Sequence, residues 1–270
     1  MNEAERIERT SSPATVSSLT RDLHRLGVAD GMSLLVHSSL SSLGYVAGGA
    51  HAVVLALEEA VGPSGTVVMP AFTAELSDPA AWKHPPVPAS WWDLIRSDTP
   101  AFDADLTPTR GMGAIPECFR KQKGVVRSRH PQDSFVAWGR HADDIAGDHS
   151  LEFGLGEGSP LARIYELDGH VLLLGVGHSN NTSLHLAEYR ASFSGKRLAR
   201  NGAPVSIDGV RRWVEFDDVD INEEDFTRIG ADLEIEAGSV RRGRIGLAEA
   251  RLMRQREVVD YAVQWMERNR

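Results

Sequence analysis

The segment of this 270-residue chain best equipped for chemistry is Asn181-Thr182-Ser183-Leu184-His185-Leu186-Ala187-Glu188. His185 and Glu188 are three residues apart, so on a helix they share one face within reach of each other. A carboxylate beside an imidazole fixes its tautomer and stabilises its protonated form, as a general base requires. Asn181, Thr182 and Ser183 put amide, hydroxyl and free backbone N–H groups at the start of that helix, where an oxyanion could be held. The same spacing also suits an ordinary N-cap followed by a surface pair.

A second constellation is Val36-His37-Ser38-Ser39-Leu40-Ser41-Ser42-Leu43-Gly44-Tyr45-Val46-Ala47-Gly48-Gly49-Ala50. Small residues joining a strand to a helix let backbone N–H groups approach a phosphate at the helix N-terminus. The segment has neither the dinucleotide fingerprint nor the P-loop pattern, so a plain flexible connection fits equally well. Arg127, Arg129 and His130 could pair with a phosphate or simply be solvated. Glu215, Asp217, Asp218 and Asp220 could hold a cation or form a solvated acidic edge. The histidines lack metal-ligand spacing, and one cysteine, Cys118, excludes an internal disulfide and a Cys-based zinc site; no metal is expected. A serine hydrolase is disfavoured because no G-x-S-x-G elbow occurs.

The elements that must position these residues read as one α/β domain. Residues 1–14 look like a polar, flexible tail, and 15–270 like a single domain without repeat or linker. Val16, Leu19, Leu23 and Leu26 recur at helical spacing, and Gly27 stops the helix. Ser33–Val36 reads as a strand, His51–Val61 as a helix and Thr66–Met69 as the next strand, the grammar of a mostly parallel sheet. The Pro- and Trp-rich stretch from Pro70 to Thr109 has the look of a functional cover. Val171–Val176 is apolar enough for a strand buried on both faces and leads straight into the His185 helix; ligands gather at such carboxyl ends. Asp208-Gly209 marks a hairpin. An acidic helix is expected around Asn222–Ile229, and a long final helix over Leu247–Glu267, whose apolar positions suit either core packing or a dimer seam. Acidic side chains outnumber basic ones, 38 to 29, giving −9. That balance disfavours nucleic acid and favours a cationic partner. With no apolar leader or spanning segment, a cytoplasmic protein is expected, away from membranes.

Taken together, the motifs resemble the aminoglycoside N3-acetyltransferases, the antibiotic N-acetyltransferase family. His37–Gly44 with Val46-x-Gly48-Gly49-Ala50 resembles that family's acetyl-CoA loop. Thr107–Gly113, Arg127–Pro131, Gly158–Leu161, Asn181–Glu188 and Trp213–Asp218 match it in the same order. The resemblance runs from about Thr15 to the C-terminus. It implies a three-layer α/β/α sandwich around a mixed, mostly parallel sheet, unlike the GNAT acetyltransferases. Acetyl-CoA would lie along His37, Ser38, Ser39, Leu40, Leu43, Gly44, Val46, Gly48, Gly49 and Ala50, with Arg110, Met112 and Gly113 on its other side. His185, oriented by Glu188, would deprotonate the 3-amino group of a 2-deoxystreptamine ring, and Thr182 would stabilise the oxyanion. Glu215, Asp217 and Asp218 would bind the cationic amine. Acetylation of another small amine, or CoA binding without turnover, are the alternatives, and monomer and homodimer both stay open.

Overall fold

The central strand β1 (Ser33–Ser38) is buried along nearly its whole length and sends alternate side chains to opposite faces, which decides where the cores sit. Leu34 and Val36 enter one apolar cluster and Leu35 the other. The chain, described here from a computed structural model over residues 3–270, runs α1 (Glu3–Arg9), α2 (Val16–Leu26), β1, α3 (Gly49–Val61) and β2 (Thr66–Pro70). It continues α4 (Trp92–Asp98), α5 (Ala114–Phe119), β3 (Val126–Arg127), β4 (Phe135–Gly139), α6 (Ala142–Ala146), α7 (Pro160–Glu166) and β5 (His170–Leu174). Then come α8 (Ser183–Arg190), β6 (Leu198–Ile207), β7 (Val210–Val219), α9 (Phe226–Glu236), β8 (Arg241–Ile245), β9 (Ala248–Arg254) and α10 (Gln255–Asn269).

Seven strands form one sheet in the order β3-β4-β2-β1-β5-β9-β8. Helices α2, α3 and α5 cover the face of Leu34 and Val36, and α6 to α10 cover the face of Leu35, giving three layers. The sheet is mixed: β1 pairs parallel with both β2 and β5, while every other neighbouring pair is antiparallel. Parallel pairing is therefore confined to the centre of the sheet, where α3 carries the chain back from β1 to β2. Strands β6 and β7 form a separate two-stranded ribbon, turned at Asp208 and Gly209 with φ of 51° and 75°, the left-handed pair a tight hairpin turn needs.

Three expectations are corrected. Within 1–14, Glu3–Arg9 is a helix with no buried residue, and the segment after it is anchored: Ala14 bridges to Val46, and Thr10 Oγ1 accepts from the Tyr45 N–H at 2.8 Å. The acidic segment 222–225 is not helical; α9 starts at Phe226, because its apolar face begins there with Phe226, Ile229 and Leu233. The final helix starts at Gln255 rather than Leu247, since Ala248–Arg254 is β9, paired with β5. Ala248, Ala250 and Leu252 are buried in alternation, the period of a strand, although Ala, Glu and Leu favour helices.

Candidate active site

The parallel centre of the sheet ends in a cavity of ≈ 200 Å³. Val36, His37 and Ser38 reach it from β1, Pro70 and Phe72 from the end of β2, and Val176 from just past β5. This is the carboxyl edge of adjacent parallel strands, where an open α/β sheet leaves room for a ligand. Asn181, Thr182 and His185 close it from α8 and the turn before it, and Glu223 and Phe226 close it from the start of α9. Helix α8 is buried over most of its length, so its His and Glu are interior groups and not a surface pair.

His185 Nδ1 lies 2.7 Å from Glu188 Oε2, and the two residues are 5% and 1% exposed. A carboxylate accepts and does not donate, so Nδ1–H donates to Glu188, and in a neutral imidazole held this way the lone pair is on Nε2. Nε2 has Glu223 Oε1 3.9 Å away, and the imidazole packs edge-on against Phe226 with centroids 4.8 Å apart. The second oxygen of Glu188 accepts from the Asn222 N–H at 2.9 Å and from Arg270 Nη1 at 2.6 Å. His37 Nε2 is 3.3 Å from Thr182 Oγ1. Burial, and then the positive charge His185 can carry, lower the His37 pKa to about 3, so His37 is a neutral hydrogen-bonding group. Asn181 Oδ1 accepts from the Ser183 N–H at 3.2 Å, which fixes the amide and leaves its buried Nδ2 without a protein partner. Ser38 Oγ is likewise buried and unpartnered. Two unspent donors thus belong to residues lining the cavity beside His185.

Of the expected cofactor-loop residues, His37, Ser38 and Met112 line this cavity. Gly49 and Gly113 have open space where a Cβ would stand, as does Gly111. Gly48 is the left-handed N-cap of α3, and Ala50 lies in its first turn. Ser39 Oγ pairs with Ser41 Oγ at 3.2 Å. Leu40, Leu43 and Val46 instead pack into or against the core, and Gly44 makes a left-handed turn beside Thr10 and Leu247. Arg110 lines a neighbouring hollow with Trp82 and Lys83. Arg127 is buried, with its guanidinium spent on the carbonyls of Ala71 and Ala104 at 2.8 and 3.2 Å, and so braces the Pro70–Thr109 cover. His130 is buried and stacks on His149.

Glu215, Asp217 and Asp218 do not meet His185. They lie on β7, where Arg200 pairs with Asp217 at 2.9 Å and Glu215 at 3.5 Å, and Asp218 takes the Tyr189 hydroxyl. The carboxylate at the cavity is Glu223. It stands in the run Asn222-Glu223-Glu224-Asp225, visible in the sequence as acidic but not as part of the site. Arg270 gave no sequence signal at all. Among the described residues no group of His, Cys, Asp and Glu has the makings of a metal site, and no helix is long and apolar enough to cross a membrane.

A buried imidazole–carboxylate pair opening into a cavity at the carboxyl edge of an α/β sheet is an arrangement capable of base catalysis. The chain belongs to the aminoglycoside 3-N-acetyltransferase family, a family of transferases whose model matches residues 35–267. It is 47% identical over 264 residues to the SPbeta prophage-derived aminoglycoside N(3')-acetyltransferase-like protein YokD of Bacillus subtilis (strain 168), covering 97% of this chain and 96% of that protein. The YokD crystal structure superposes with a TM-score of 0.96 over 98% of both chains at 46% identity. Aminoglycoside N(3)-acetyltransferase VII of Streptomyces paromomycinus is 38% identical, over 99% of this chain and 96% of that one. A solved binary complex of AAC-IIIb with CoASH matches with a TM-score of 0.86 at 34% identity, covering 95% and 97%.

Proposed function

We propose that this protein transfers the acetyl group of acetyl-CoA directly to the 3-amino group of the 2-deoxystreptamine ring of aminoglycosides, with His185 as general base. The observation that carries the reading is the buried 2.7 Å His185–Glu188 bond, which holds Nδ1 and leaves Nε2 for the cavity. Acetyl-CoA fits the chain's own features. The first-turn N–H groups of α3 follow the open backbone of Gly49, and Gly111 and Gly113 face open space near Met112. Backbone that can be approached this closely, next to a helix N-terminus, suits a phosphate-bearing ligand.

Bound acetyl-CoA supplies the acyl group; the chain's residues do the rest. Glu223 draws a cationic amine to the mouth of the cavity. As the amine nitrogen bonds to the thioester carbonyl carbon, His185 Nε2 takes its proton; when the C–S bond breaks, the imidazolium, stabilised by Glu188, returns that proton to the departing thiolate. The Thr182 hydroxyl and the Asn181 and Ser38 donors are placed to stabilise negative charge on the acyl oxygen. No enzyme nucleophile is required, in keeping with a half-buried Cys118 whose thiol pKa burial raises.

The test is product identification. The protein is incubated with acetyl-CoA and 2-deoxystreptamine aminoglycosides, and NMR locates the new acetyl group. Acetylation at the 3-amino position is the expected result. Acetylation confined to other small amines would reject the aminoglycoside assignment in favour of a different acceptor, and tight CoA binding with no product from any amine would reject catalysis altogether.

A further inference from the structure

Glu188 is almost completely buried, yet its interaction with His185 uses only one of its oxygens. The other is claimed by α10: Arg270 Nη1 donates to Oε1 at 2.6 Å, beside the Asn222 N–H at 2.9 Å. The same guanidinium donates to both oxygens of Asp225, at 2.6 and 2.7 Å, and to the Asn222 carbonyl at 2.8 Å. It is held over the Phe193 ring, 5.1 Å from its centroid. One side chain therefore touches the carboxylate behind the base and both flanks of Glu223, the acidic residue in front of it.

We infer that Arg270 is a positioning residue that sets both the proton affinity of His185 and the placement of Glu223. The inference rests on His185 being the base. A guanidinium against Oε1 offsets part of the carboxylate's field, so the imidazole holds a captured proton less tightly and is regenerated more readily. The titratable groups that face His185 come from several elements. Glu188 is on α8 itself, Glu223 and Asp225 precede α9, and His37 ends β1. Lys196 faces Glu188 while its ammonium donates to the carbonyls of Tyr189 and Ala191 at 2.7 and 3.0 Å. Replacing Arg270 by a neutral residue makes this cluster more negative by one charge, which favours protonated His185. The bidentate hold on Asp225 depends on a planar fork that lysine lacks.

The experiment compares wild type, Arg270→Gln and Arg270→Lys in two ways. One is the pH profile of kcat/KM with acetyl-CoA and an accepted amine. The other is the 13C shift of the His185 ring against pH in the labelled, ligand-free protein, with its signal assigned by His185→Gln. In Arg270→Gln the ring's titration midpoint and the acid limb of kcat/KM both move up by about half a unit to one unit. In Arg270→Lys, which keeps the charge, the midpoint stays at the wild-type value while the acceptor KM rises several-fold. A ring midpoint in Arg270→Gln that stays put or moves down overturns the inference. If that variant does not fold, a wild-type acceptor KM in Arg270→Lys does the same. A ring midpoint that rises while the kcat/KM profile stays fixed would keep the electrostatic role of Arg270 and reject His185 as base, so the two claims fail separately.

Discussion

At the residue scale, the candidate site is an imidazole held by its carboxylate, flanked by donors that the protein itself does not use. Leaving buried donors unpaired costs stability, roughly 1–3 kcal/mol each, unless a ligand or transition state completes them. Asn181 is the clearest case, because the Ser183 N–H fixes its oxygen and so fixes which way the amide points. Asn181→Ala is expected to lower kcat by about a hundredfold with little change in either KM, the pattern of an interaction made chiefly in the transition state. Steady-state kinetics check this, and a raised KM with unchanged kcat would assign Asn181 to ground-state binding instead. The His185–Glu188 pair was legible in the sequence because the two residues lie on neighbouring turns of one helix. Arg270 was not, because it reaches Glu188 from 82 residues further along the chain, a separation no local pattern encodes. Glu223 was missed for a related reason: acidic residues on β7 and in 222–225 look alike until the fold places only the latter at the cavity.

At the element scale, the turn before α8 matters as much as the helix. His178 sits in that turn against Gly230 of α9, and a Cβ built at Gly230 overlaps the His178 ring. His178 Nε2 is also tied to Glu234 at 2.8 Å, so it has little room to yield. Gly230→Ala is therefore expected to destabilise the protein by about 1–3 kcal/mol despite alanine's better helix propensity, because overpacking outweighs that gain. Urea unfolding reads the change, and an unchanged or raised midpoint would show that α9 can shift freely. The kcat should fall as well, since Asn181 directly follows the displaced turn. The helix–strand alternation around β1, α3 and β2 was readable because two short apolar runs, buried almost throughout, flank a longer apolar stretch that Gly62 closes. The β8–β9 hairpin was not. Its Ala-, Glu- and Leu-containing β9 has helix-forming composition, and only pairing against the open edge of β5 makes it a strand.

At the scale of the whole molecule, three interior histidines link stability to pH. Burial first, with help from neighbouring positive charge, lowers the pKa of His37 and His149 to about 3 and that of His178 to about 4. Below their unfolded value near 6.5 the unfolded chain binds protons that the folded chain refuses, so stability is full above that pH and falls as the pH drops toward 4. By pH 5.5 the loss is on the order of 1 kcal/mol for each histidine. Denaturant midpoints measured from pH 7.5 to 5 should fall steadily, and a flat profile would mean that these histidines are protonated in place. Under the proposed reading, the formal charge of −9 favours approach of a polycationic acceptor, and the chemistry rests on one imidazole. The most direct test is free-thiol release from acetyl-CoA in the presence of a 2-deoxystreptamine aminoglycoside, compared between wild type and His185→Ala. Aminoglycoside-dependent release in the wild type, lowered by about a hundred- to ten-thousand-fold in the variant, is the predicted result; release that survives the substitution at the wild-type rate would contradict His185 as the base.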